Sequence, residues 1–233
     1  MYCFIDYRTT KEELNNLYKL GLEPIIIPKT PLVYEAINGH VDIQLNILSK
    51  KDKLVIVSKD INKSFLSSLK DKKINYVLSH NSLGFKYPND IILNGLILEK
   101  FFIHNLNFTD KTLLESQQNK KNIHVKQGYT KCSVLPIRED SIITSDKNIA
   151  KELLNYNFNV LLIPSGDILL PTLNYGFIGG TGGMISENKI AFFGELSNYA
   201  YGKDIYSFLY KLDVEPIYLR KGKLIDRGSL LTL

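Results

Sequence analysis

Short apolar runs rich in β-forming residues alternate with stretches of helical spacing, and the alternation occurs five times. The first copy shows the order. Tyr2-Cys3-Phe4-Ile5-Asp6 reads as a strand ending in a polar residue. Thr10-Lys11-Glu12-Glu13 is a capping-box signature, and Gly21 marks the end of the helix it starts. Pro24 to Pro28 reads as a short buried strand. His40-Val41-Asp42 with Ile43 to Leu48 then forms a polar turn followed by a closing apolar strand. Related openings stand at Leu54, Phe101, Ser141 and Ile190, with helices expected near Ser64–Leu69, Asp110–Gln117, Asp146–Leu154 and Asp204–Leu212. The turns of the later copies fall at Tyr87–Asp90, Gly128–Cys132, Gly176–Gly183 and Leu224–Gly228.

A repeat of roughly 40–50 residues belongs to propellers and solenoids. The fifth copy runs to the last residue, and neither end reads as the polar cap that an open stack requires. The expectation is an α/β fold in one domain, a five-bladed αβ propeller with pseudo-fivefold symmetry. Its units are about 1–50, 51–99, 100–139, 140–187 and 188–233. Short strands would line the axis, helices would sit outside, and all five turns would meet at one channel mouth.

Composition narrows the setting. The 233 residues, 44% of them hydrophobic, are ample for a core. No apolar run approaches the roughly 20 residues that span a bilayer, so no membrane association is expected. The N-terminal residues lack the basic and apolar regions of a secretory signal. The only cysteines are Cys3 and Cys132, which excludes a disulfide framework and favours a reducing, cytoplasmic setting. No spacing indicates a metal site, and no cofactor is expected: the glycines at 176–183 lack the following Lys-Ser/Thr of a phosphate loop. They read instead as positions of positive φ or close backbone approach. The net charge of +5 comes from short basic runs such as Lys50-Lys51, mixed with acids at turns. They read as solvated loop charge and do not point to a nucleic-acid partner. A homodimer is compatible with the sequence.

The candidate chemistry lies in the turns. His40 and Asp42 are two apart, a spacing that places both on one face of a strand. Cys132 stands in the third turn and Asp226 in the fifth, with Asp90 in the second and Asp6 at the end of the first strand. A thiol needs a base or a positive charge to ionise, and a histidine beside a carboxylate supplies the base. Carboxylates around a thiol suppress it unless the substrate is itself a cation, which favours a planar, always-charged guanidinium. Competing readings are a buried structural thiol for Cys132 and ordinary turn hydrogen bonding for His40 and Asp226. Cys3 reads as core. Tyr129, Tyr175, Tyr199 and Tyr201 are candidates for a pocket edge, whereas His80, His104 and His124 show no partner pattern.

Five αβ units with Gly39-His40-Val41-Asp42 resemble the guanidino-group-modifying (pentein) superfamily of deiminases, dimethylarginine hydrolases and amidinotransferases. Those enzymes carry a His-x-Asp turn, a cysteine nucleophile two units later and an acidic residue one unit earlier. Cys132 and Ile225-Asp226-Arg227-Gly228 stand at the corresponding places once the ring is read circularly, as in a chain cut at a different blade. The last unit has no cysteine, and Cys132 follows Thr130-Lys131 in place of the family's usual nucleophile turn. The resemblance implies Cys132, His40 and Asp226 as catalytic residues and Asp42, Asp90 and Asp6 as ligands of a cationic small molecule. The activity implied is cleavage or transfer of a guanidino or amidino C–N bond through a covalent cysteine intermediate. The alternative is a non-catalytic protein of this fold with a macromolecular, ribosome-type partner.

Overall fold

The computed structural model describes residues 1–233. The elements run β1 (Tyr2–Asp6), α1 (Lys11–Lys19), β2 (Glu23–Ile27), α2 (Val41–Gln44), β3 (Leu45–Ser49), β4 (Leu54–Val57), α3 (Lys63–Asp71), β5 (Asn75–Leu78) and β6 (Leu96–Ile97). They continue with β7 (Phe101–His104), α4 (Lys111–Ser116), β8 (Lys121–His124), α5 (Thr130–Ser133), β9 (Val134–Arg138), β10 (Ser141–Thr144), α6 (Lys147–Leu154) and β11 (Asn159–Leu162). The last are β12 (Gly182–Ser186), β13 (Lys189–Phe192), α7 (Gly202–Lys211), β14 (Glu215–Tyr218) and β15 (Leu231–Thr232).

The strands form five three-stranded sheets of one pattern. In each, a helix crossover joins two parallel strands, as in β1 and β2. An antiparallel strand covers the other side, as β3 does for β4. The apolar strand that ends each repeat therefore pairs with the opening strand of the next one. The last follows the same rule: β15 pairs with β1, placing Thr232 opposite Cys3.

Local sequence explains the helices. Thr10 Oγ1 accepts from the Glu13 amide and Glu13 Oε2 accepts from the Thr10 amide, the reciprocal cap that the sequence predicts. Asp110 and Asp146 cap α4 and α6 in the same position, and Asn62 caps α3. One apolar stripe on each helix faces inward, as Ile149, Ala150 and Leu153 do on α6.

The core is divided into five apolar clusters, each lying between two successive sheets. Phe4 of β1 meets Val55 and Val57 of β4. Ile56 meets Phe102 of β7, Ile103 meets Ile142 of β10, and Ile143 meets Phe192 of β13. The remaining cluster joins the last sheet to the first, packing Ala191 and Phe193 against Cys3 and Ile5. Burying each such side chain contributes about 1.5–3 kcal/mol. Cys3 is core, as expected, with its thiol pushed up to about 12 by burial. No helix is long and apolar enough to cross a membrane.

One local expectation is corrected. His40 and Asp42 do not lie on a strand. His40 precedes the short helix α2, Asp42 is its second residue, and the strand begins only at Leu45. The Gln44 side chain donates to the carbonyls of Pro28 and Asn38, which ties this turn to the preceding loop. The same arrangement of short helix and then strand recurs at Thr130–Arg138.

Candidate active site

The turns of all five repeats meet through named contacts. Asn94, from the second, donates to the Asp42 carbonyl of the first and approaches Cys132 Sγ of the third at 3.1 Å. The Cys132 amide returns a bond to Asn94 Oδ1. Asp226, from the fifth, accepts from the Phe177 amide of the fourth. Ser229 Oγ donates to Asp42 Oδ2 at 2.6 Å and accepts from Lys131 Nζ at 2.9 Å.

Within this cluster the Cys132 thiol donates to Asp42 Oδ1 at 3.2 Å. Ligand atoms of His40, Asp42 and Cys132 all lie within 4.8 Å of one another. His40 Nε2 is 3.8 Å from Asp226 Oδ1. His40 is buried, yet neither ring nitrogen has a hydrogen-bond partner. An unpaired buried polar group is costly, and His40 is the one side chain here with both of its polar atoms left so. Here it faces space: His40, Cys132 and Asp226 line one cavity of about 270 Å³. Tyr34, Tyr129 and Phe177 form its aromatic walls, and the exposed Leu173 and Tyr175 stand at its rim.

The electrostatics keep the thiol protonated in the free protein. Burial pushes Cys132 well above the ordinary thiol range, the charges of Asp42 and Asp226 push it further, and the Asn94 contact opposes them. Burial also raises Asp226, against the attraction of His40 and two backbone amides. Lys131 is lowered by burial, which Asp42, Cys132 and Asp226 partly offset. The His40, Asp42 and Cys132 atoms are close enough to surround a metal ion, but the thiol-to-carboxylate hydrogen bond already joins two of them.

Two glycines make the cluster possible. A Cβ at Gly180 would lie 1.8 Å from Asp226 Oδ1. One at Gly228 would lie 2.2 Å from His40 Cβ, and Gly228 also has φ +66°.

The remaining sequence candidates are placed differently. Asp90 stands behind the cavity wall, where Tyr129 donates its phenol proton to Asp90 Oδ2. Asp6 does not line the cavity; both carboxylate oxygens are held by Arg8. Tyr129 and Tyr175 reach the cavity, whereas Tyr199 and Tyr201 pack on each other elsewhere. Asn94, Lys131 and Ser229 are not distinguished by sequence. Their one signal is position, two residues before the β6 region, next to the cysteine and just after the fifth turn.

The fold resembles that of the pentein superfamily. SxtG, an amidinotransferase from Microseira wollei in the saxitoxin biosynthetic pathway, superposes with a TM-score of 0.57 at 8% identity, over 93% of this chain and 87% of that one. DDAH from Pseudomonas aeruginosa, complexed with citrulline, gives 0.53 at 8% identity over 93% and 91%. The inosamine-phosphate amidinotransferase StrB1 from Streptomyces griseus gives 0.54 at 11% identity over 89% and 72%. At such identities the likeness is one of fold. No curated protein sequence matches the chain. By sequence the chain belongs to the family described as "Family of unknown function (DUF6873)", which spans residues 4–231.

Proposed function

We propose that the five repeats close as a single-domain, five-bladed αβ propeller, and that it is a cysteine-dependent enzyme acting on a C–N bond of a cationic guanidino or amidino small molecule. The cyclic strand pairing and the core cluster joining last sheet to first support the ring. The observation that carries the activity is the meeting of Cys132 with a buried, unpartnered His40 at one cavity. Free thiols at Cys3 and Cys132 support a reducing, cytoplasmic setting.

The site's charges explain the substrate class. Burial first, and then the charges of Asp42 and Asp226, raise the thiol pKa; a bound cation would offset the part due to the two carboxylates. Aromatic walls at Tyr34, Tyr129 and Phe177 favour a cation as well. Asp42 and Asp226 are the groups proposed to hold its nitrogens, with Asp226 also orienting His40.

With substrate bound, His40 takes the Cys132 proton and the thiolate adds to the amidino carbon, moving the C=N electron pair onto nitrogen. The C–N bond to the departing amine then breaks, and that amine leaves with the proton from His40. Cys132 is left carrying an S-linked thiouronium. Attack by water, whose proton passes to His40, breaks the C–S bond and returns the thiol; attack by an amine gives transfer. Acid–base help of this kind is worth about 10²–10⁴-fold.

A panel of guanidino and amidino compounds, incubated with wild type and Cys132→Ala, tests this. The expected result is release of ammonia or amine by wild type alone, with a Cys132-linked adduct in the intact mass. Absence of product, adduct and substrate protection of Cys132 from alkylation across the panel would leave a non-catalytic binding protein of the same fold.

A further inference from the structure

A second and larger cavity, of about 480 Å³, lies apart from Cys132 and His40 and shares none of the residues that line theirs. The antiparallel edge strand of each of the five sheets, β3, β6, β9, β12 and β15, contributes to its wall. It is thus the place where the five sheet edges face one another. Its volume is within the range of small-molecule sites.

The wall has two characters. Ile47, Leu96, Ile97, Met184 and Leu231 give it an apolar side. The charged residues are Lys50, Lys51, Lys120 and Lys131, against the single carboxylate of Glu99. None of these lysines is in an ion pair; the lysine pairs of the molecule are made by Lys72, Lys111, Lys189 and Lys223. Their partners here are neutral. Lys50 Nζ donates to Thr232 Oγ1, Lys120 Nζ to the Leu98 carbonyl, and Lys131 Nζ to Ser229 Oγ. Burial lowers the pKa at Lys50, Lys120 and Lys131; Glu139 and Glu99 oppose it at Lys120; Asp42, Cys132 and Asp226 oppose it at Lys131; and burial is the one cause at Lys50. The short basic run Lys50-Lys51 is exposed turn charge, as the sequence indicates, and both lysines also line this cavity.

We propose that this cavity binds a small amphipathic anion, a carboxylate or phosphomonoester on an apolar body, with the acid group among Lys50, Lys51, Lys120 and Lys131 and the body along β3, β6 and β12. Four cations against one carboxylate select the charge. The apolar strand residues select the body, since an inorganic anion would leave them in contact with water. This site does not depend on the chemistry at Cys132, and an inactive protein could still carry it.

Calorimetric titration of the full chain with octyl phosphate and with octanoate, both below their micellar range, tests the proposal. At least one should bind with a stoichiometry of about one per chain, weaken as salt is raised, and bind at least about tenfold more tightly than octanol or inorganic phosphate. The double variant Lys50→Glu/Lys51→Glu should lose at least about tenfold in affinity, as should Lys120→Glu, which checks the site from another element. Thermal melting confirms that each variant is folded. Absence of saturable binding of both anions, equal binding of octanol, or unchanged affinity in both folded variants would each overturn the proposal.

Discussion

Cys132 Sγ lies 3.2 Å from Asp42 Oδ1, across 90 residues of sequence, and donates to it. The opposite oxygen of the same carboxylate is held by Ser229, which in turn is held by Lys131. The carboxylate is thus fixed in place by neighbours that leave its charge on the thiol. In the free protein that charge adds to burial in raising the thiol pKa; under the proposed function a bound cation would offset the charge.

Replacing Asp42 by Asn should therefore separate thiol reactivity from turnover. One of the two carboxylates that raise the Cys132 pKa is removed, so its ionisation moves down. Iodoacetamide should label Cys132 in the free variant faster and at lower pH than in wild type, while guanidino turnover falls. Peptide mapping distinguishes Cys132 from Cys3. An alkylation profile identical to that of wild type would show that Asp42 does not control the sulfur.

His40 offers the complementary test. Because neither ring nitrogen has a partner, removing them breaks no hydrogen bond of the free protein. His40→Gln should leave the folding free energy within about 1 kcal/mol of wild type. It should nevertheless reduce turnover by about 10²–10⁴-fold. Urea unfolding and substrate assays read the two effects. Large destabilisation without loss of turnover would mean that the imidazole serves the fold.

How much of this was legible in the chain varies with the range of the interaction. Helix starts such as Thr10 to Glu13 and Asp146 are encoded within three residues, and both are found as expected. The meeting of His40 with Cys132 follows from the repeat pattern, because equivalent turns come together once the units are superposed in order. Strand partners depend on the neighbouring repeat, so the periodicity alone does not show that β3 pairs with β4 or that β15 returns to β1. His40 and Asp42 have the spacing of a strand face, but a short helix carries them, tied back by the Gln44 side chain. The acidic candidates show the same limit. Asp226 faces the cavity, whereas Asp6 is held by Arg8 two residues along, a local partner that outcompetes a distant ligand. Lys131 and Asn94 act through contacts across the centre and leave no mark on the local pattern.

Gly228→Ala is expected to disturb the site through backbone geometry. The left-handed φ of +66° disfavours any residue with a side chain, and the added Cβ would lie 2.2 Å from His40 Cβ. The strain should cost about 1–3 kcal/mol and displace the imidazole. Reduced urea midpoint together with reduced turnover is the expected result. A variant with wild-type values for both would show that the turn can relax without moving His40.

A second histidine, outside the cavity, should set the acid limit of stability. His104 is fully buried, with Nδ1 2.7 Å from Thr109 Oγ1 and Nε2 3.0 Å from the Gly128 carbonyl. Burial lowers its pKa to about 4, and His124 adds a small contribution in the same direction. In the unfolded chain an imidazole titrates near 6.5. Above that pH it is neutral in both states, and its contribution to stability is fully present. As pH falls from about 6.5 towards 4, the unfolded chain binds a proton that the folded one refuses, so stability falls. The loss is about 1.4 kcal/mol per pH unit within that window and on the order of 3 kcal/mol in all. Urea unfolding at a series of pH values should show this slope in wild type. His104→Gln, although less stable at neutral pH through its altered hydrogen bonds, should show a shallower slope across the same window. Equal slopes in the two proteins would mean that His104 is protonated in the folded state and that its surroundings accommodate the charge.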